Sequence, residues 1–183
     1  MILRHAALLA LAFSTAPALA ADYTQAAGSS LTFATKYQGE VFTGRLPGFA
    51  TRLSFDPKQL GASRLDVTIP LAGAATGDGD RDSTLKGADF FNVARFPQAR
   101  YVATKFRALG GNRYAADGHL TLRGVSKPVT LTFTWTPGTA PVLTGQATVR
   151  RLDFGVGGGE WVDTGLIPNE VAVSTKVVLT GSR

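Results

Sequence analysis

The sequence predicts an all-β protein, an extended antiparallel barrel of eight strands with one short helical insertion around residues 80–92. Three observations carry this. Apolar residues recur at every second position through most of the chain, which is the period of a half-buried strand. Only the stretch Asp80 to Pro97 (DRDSTLKGADFFNVARFP) breaks that period and reads as helix. Strands of eight to ten residues with one apolar face suit a sheet that curls and closes on itself, because closure removes the exposed edges.

The elements follow in order. Residues 1–20 read as a cleavable leader. Arg4 and His5 give a basic start, Ala6 to Phe13 an apolar run too short to span a bilayer, and Ala18-Leu19-Ala20 a small-x-small cleavage signal. Cutting is expected after Ala20 or one residue later, which makes the protein exported and periplasmic. The remaining residues, 21–183, form one domain large enough to enclose a core. Leu31, Phe33, Thr35 and Tyr37 share one strand face, followed by Phe42, Gly44 and Leu46. After the Pro47-Gly48 turn come Phe49, Thr51, Leu53 and Phe55, then Leu65, Val67 and Ile69. Tyr101 and Ala103 lie opposite Val102, Thr104 and Phe106, and Gly110-Gly111-Asn112 marks a hairpin. Tyr114 to Leu122, Val129 to Trp135, Leu143 to Arg150 and Val171 to Leu179 complete the set.

Composition narrows the function. The chain has no cysteine, so stability rests on burial and sheet closure rather than disulfides. Its net charge is +6, and loss of Arg4 with the leader leaves +5. That excess favours anionic partners such as phosphate head groups or a membrane surface. It is spread thinly, with Arg150-Arg151 the only doubled arginine, so nucleic acid is not expected as a partner. His119 is the one histidine outside the leader and alternates with the apolar face of its strand, pointing to solvent. No metal site or histidine-based triad can be assembled from it. The alternating Asp78, Asp80 and Asp82 lack the glycine and closing glutamate of a calcium loop. Gly155-Val156-Gly157-Gly158-Gly159 fails the dinucleotide fingerprint at Glu160 and reads as a flexible loop or bulge at a barrel rim. No catalytic residue, metal or cofactor is assigned.

An exported barrel with a helical cover points to a small apolar ligand. Phe33, Phe42, Phe55, Val67, Ile69, Tyr101, Leu122, Phe133 and Trp135 are the candidate interior lining, with Leu85, Phe90 and Phe91 from the insertion. The bland alternative is a solid core, with Phe90-Phe91 sealing one end. Small residues on the same faces, Gly44, Ala103, Ala116, Gly118 and Ala147, argue for a cavity. Which parity faces inward stays open on strands that are apolar on both sides. Arg81 is either a phosphate-binding group or a tie between helix and strand, with Asp80 or Asp82 capping the helix. Arg52, Arg100 and Arg151 are further basic candidates near a ligand head group. An integral outer-membrane barrel would need a continuous apolar outer band, and the Thr/Lys/Arg faces look solvated instead.

The motifs Ser30-x-x-Phe33, Gly44-x-x-x-x-Phe49 and Arg81-Asp82-x-x-Leu85 are followed by Phe90-Phe91-Asn92, Phe96-Pro97, Gly118-x-Leu120-Thr121-x-x-Gly124-x-x-x-x-Val129 and Arg151-x-x-Phe154-Gly155. In this order and spacing the chain resembles the YceI-like family of bacterial periplasmic proteins. The resemblance implies a lipocalin-like barrel with a long apolar cavity for a polyisoprenoid or other long-chain lipid, and no enzyme activity. Family members often carry a histidine where this chain has Tyr37 and another where it has Thr84, so a head-group role of those histidines does not carry over; Tyr37 and Arg81 are the candidate head-group contacts here. A fatty-acid derivative as ligand, a membrane-protecting interaction role and a homodimer remain open alternatives.

Overall fold

A computed structural model describes residues 20–181; the leader expected at 1–20 lies almost wholly outside them. Ten strands form one antiparallel sheet. They are β1 (Ala21–Gln25), β2 (Ser30–Tyr37), β3 (Glu40–Arg45), β4 (Ala50–Phe55), β5 (Arg64–Pro70), β6 (Gln98–Gly110), β7 (Arg113–Leu122), β8 (Val125–Thr136), β9 (Val142–Arg150) and β10 (Glu170–Gly181). The helix α1 (Gly79–Lys86) lies between β5 and β6.

Strands β4 to β10 pair in sequence order, and β1 joins the two ends. It pairs with β4 from Ala21↔Phe55 to Thr24↔Arg52 and with β10 from Tyr23↔Gly181 to Gln25↔Leu179. The closed ring therefore has eight strands, as the sequence predicts. The β2–β3 hairpin stands beside it, hydrogen-bonded to the other half of β10 from Ala172↔Ala34 to Lys176↔Ser30. At that end Arg45 and Ala75 exchange backbone hydrogen bonds of 2.8 and 3.1 Å, so the segment leading into α1 continues the wall. Strand β1 has no counterpart in the sequence reading, because five residues next to a leader carry too little pattern to register as a strand.

Alternation sets the layers. On β8, Leu131, Phe133 and Trp135 are buried while Thr130, Thr132, Thr134 and Thr136 are exposed. The outer wall carries ion pairs: Arg100 lies 2.6 Å from Asp66, and Arg107 lies 2.8 Å from Asp117. The hydrogen bonds from Arg107 and Thr130 hold the Asp117 carboxyl down at about 2. Phe106 is a correction. Expected opposite Tyr101, it is buried with it, because the β6–β7 register shifts between Ala103 and Lys105. One extra residue in a strand flips the parity of all that follows.

The helix is also shorter than expected. Gly87 ends it, and the backbone turns through Asn92 at φ 49°. Its N-cap is Asp78, whose carboxylate accepts the Arg81 N–H at 2.9 Å, rather than Asp80 or Asp82. Asp82 instead accepts from the Thr76 N–H (2.6 Å) and hydroxyl (2.7 Å), which together lower its pKa and fasten α1 to the preceding segment.

Candidate functional site

The interior divides into a solid floor and an open chamber. At the floor the Phe55 ring lies 5.0 Å from Trp135, 5.1 Å from Tyr114, 5.6 Å from Phe133 and 5.9 Å from Phe106, centroid to centroid. Tyr23 of β1 closes over Trp135 at 5.4 Å. Phe55, Phe133 and Trp135, expected to line a cavity, belong to this plug and do not reach the chamber. Their inward parity is right. Parity gives the face of a strand, though, and says nothing of depth along the barrel axis, where mutual packing of large rings leaves no room.

Above the floor is an apolar chamber of about 200 Å³ that opens to solvent. The strands contribute Phe33, Phe42, Val67, Ile69, Tyr101 and Leu122, and the insertion contributes Leu85, Phe90 and Phe91. The sequence-derived lining lacks most of the opposite wall, where Val129, Val149, Val171 and Val173 face the same space beside Ala147, which the small-residue pattern does place on the inner face. The signal was present in the alternation of β10, but uniform valines look like ordinary core.

The lining is almost wholly carbon. Thr35, Thr51 and Thr175 line the chamber. The Thr175 hydroxyl donates to the Ser30 carbonyl at 3.0 Å. Those of Thr35 and Thr51 are buried in the wall without a partner among the described residues. The Tyr101 hydroxyl is likewise turned into the wall, 2.8 Å from the Ala116 carbonyl oxygen and 3.0 Å from that of Val129. Burial pushes its pKa well above the ordinary value, so the phenol stays neutral.

The upper end is closed by loops. Phe90 packs under Trp161 at 5.5 Å, and Trp161 meets Tyr37 at 6.3 Å. Gly157 and Gly158 donate backbone N–H bonds to the Asp89 carbonyl at 2.7 and 3.1 Å. Arg123 donates to the carbonyls of Ala88 and Phe90. Tyr37 and Arg81 both stand at this rim, outside the chamber lining. The Arg81 guanidinium sits 4.4 Å from the centroid of the Phe42 ring and 3.7 Å from Asp78, so it ties helix to strand.

Arg151 organises the cover. It is 3% exposed. Its five N–H groups donate to carbonyls: Nε to Pro168 (3.1 Å), Nη1 to Val156 (3.1 Å) and Gly157 (3.0 Å), and Nη2 to Trp161 (2.7 Å) and Ile167 (2.8 Å). Burial works against its charge, and among the described residues no carboxylate pairs with it. Gly157, at φ 77°, has no Cβ because one would overlap the guanidinium. The glycine run expected to be a flexible rim loop is thus a wrapped cradle between two 3₁₀ turns, Arg151–Phe154 and Gly159–Val162. His119 is exposed, and among the described residues no group of three or more His, Cys, Asp or Glu could hold a metal ion.

A closed antiparallel ring around a carbon-lined chamber, with this rim, invites comparison with known proteins. The YceI-like domain model matches residues 23–179. The chain belongs to the YceI-like family. A relative from Yersinia pestis, named UPF0312 protein, is 36% identical over 126 residues, covering 67% of this chain and 65% of its own. An Enterobacter UPF0312 protein is 36% identical over 68% of this chain and 67% of its own. The match thus spans about two thirds of the length of these relatives. Among solved structures, Burkholderia cenocepacia BcnA superposes with a TM-score of 0.80 at 29% identity, over 83% of this chain and 96% of BcnA. A domain from Saccharophagus degradans described as polyisoprenoid-binding shares the fold, with a TM-score of 0.68 at 16% identity, over 89% of this chain and 99% of that domain.

Proposed function

We propose that this YceI-like barrel binds one long hydrocarbon chain of the polyisoprenoid class, tail first, and carries or stores it in the periplasm. The observation that carries the reading is the chamber itself: closed at one end by aromatic rings and lined by carbon. Such a wall rewards apolar surface and, beyond the hydroxyls of Thr35 and Thr51, offers little to a polar group. Each 100 Å² of chain removed from water contributes about 2.5 kcal/mol before the cost of ordering the chain. A head group of quinone or phosphate type stays outside, at the rim formed by Tyr37, Arg81 and the Arg151 loops. The polyisoprenoid-binding description of the Saccharophagus domain supports the class of cargo. The role is one of binding rather than catalysis, with brief contact at a membrane surface for loading and no cofactor.

Native mass spectrometry of protein purified from its own periplasm, followed by organic extraction, tests this. A stoichiometric isoprenoid is expected. A bound fatty-acid derivative would replace the cargo class and keep the carrier. An empty protein that takes up no added polyprenol would overturn the proposal.

A further inference from the structure

Three buried glycines sit mid-strand, Gly44 in β3, Gly118 in β7 and Gly145 in β9, and none has a positive φ; Gly145 faces the Leu131 and Thr175 side chains, whereas Gly44 and Gly118 face aromatic rings of the inner wall. A glycine inside a strand weakens it and packs nothing, so backbone freedom does not explain these two. Their missing Cβ does. Phe33 is the cross-strand partner of Gly44, and its ring lies over that residue so closely that a Cβ would overlap three ring carbons. A Cβ at Gly118 would come within 2.8 Å of the Tyr101 ring carbon Cζ, while the Tyr101 hydroxyl is held beyond it in the wall. Phe33 and Tyr101 both line the chamber. Small residues on an inner face predict empty space at their own positions. Instead, each of these two glycines is a seat filled by a ring, and the empty space is what the ring would otherwise occupy.

We propose that Gly44 and Gly118 set the bore of the chamber by letting Phe33 and Tyr101 lie flat against the wall, and that this bore admits methyl-branched chains. The inference rests on the chain-binding reading above and names its width determinant. A side chain at either seat forces the ring to give way. At Gly118 the Val102 carbonyl oxygen would lie 2.5 Å from a new Cβ, so the strand pairing itself resists. At Gly44 the nearest atoms all belong to the Phe33 ring, which can swing into the lumen. A narrowed lumen discriminates most against the wider chain.

The test compares geranylgeraniol with 1-hexadecanol, which share a main-chain length and a primary hydroxyl and differ in their methyl branches and double bonds. Competition for the purified protein is read by native mass spectrometry. In Gly44→Ala the affinity ratio should shift about tenfold or more towards the linear alcohol, the size expected when a pocket loses room for a methyl group. Gly44→Ala combined with Phe33→Leu should restore the ratio, because leucine needs no seat. A crystal structure of the Gly44→Ala protein should show the Phe33 ring in the lumen. An unchanged ratio, or a ring still on the wall, would overturn the proposal. If Gly44→Ala does not fold, Phe33→Leu alone decides: the ratio should move towards the branched alcohol, and no movement overturns the gauge. Wild-type protein that binds neither alcohol would count against the chain-binding reading, while the ring position would still judge the seat.

Discussion

At the floor of the barrel Phe55 touches four other rings, and all come from strands of the closed ring. At the upper end Phe90 meets Trp161, and both come from loops. The floor is fixed by apolar packing between strands whose backbones already pair. The cover is fixed by hydrogen bonds from arginines to carbonyls: five from Arg151, and others from Arg123. Packing of rings yields a rigid stop. A carbonyl cradle can open by exchanging its partners for water at modest net cost, since an internal hydrogen bond is worth far less than its gross strength. The difference predicts that the floor carries more of the stability than the cover does.

Substitutions sharpen or break this contrast. Phe55→Ala should cost about 3–5 kcal/mol, as for other buried aromatic truncations, measured by urea unfolding. Half-buried Phe91 should tolerate alanine with a much smaller loss but weaker chain binding. Equal losses at the two ends would dissolve the distinction. Arg151→Met should cost about 2–3 kcal/mol by stranding buried carbonyls. Hydrogen exchange should quicken more at Gly157, Gly158 and neighbouring amides than at Leu131 and Phe133. Uniform acceleration would show that the cover is part of the same cooperative unit as the floor. Asp78→Ala removes the α1 cap and should cost about 1 kcal/mol, seen as a lowered Tm and earlier proteolysis within 79–93.

The smallest effect is on the outer wall and should touch neither end. The Asp117 carboxyl titrates at about 2 in the folded protein against 3.8 for the free group. A folded pKa below the unfolded one adds stability above the unfolded value, and that stability is lost as pH falls through the interval to the folded value. The pair with Arg107 is solvent-exposed, so the gain is small. Asp117→Asn should lower Tm slightly at pH 7 and less at pH 2, with chain binding unchanged at neutral pH.

Legibility in the sequence follows the same division. Period-two alternation located nine of the ten strands and the inward faces of most, because a strand buried on one side must alternate. It failed at Thr104, where a register slip reverses the parity and turns Phe106 inward. It also failed to separate lining from plug. Phe33 and Phe55 have the same pattern, and only their height in the barrel distinguishes them. Arg151 stood out in the sequence as part of a doubled arginine and a family motif, yet its partners are all backbone carbonyls, which carry no side-chain signal.

The sequence by itself determined the all-β class, the closed antiparallel sheet, the position of the insertion and an apolar interior, because each follows from local periodicity and turn chemistry along the chain. Tertiary structure alone decided which aromatic rings fill the floor, which line the chamber, how β1 closes the ring and how the cover is held. Those depend on where residues far apart in sequence meet around the barrel axis, and on the space each ring leaves to the next.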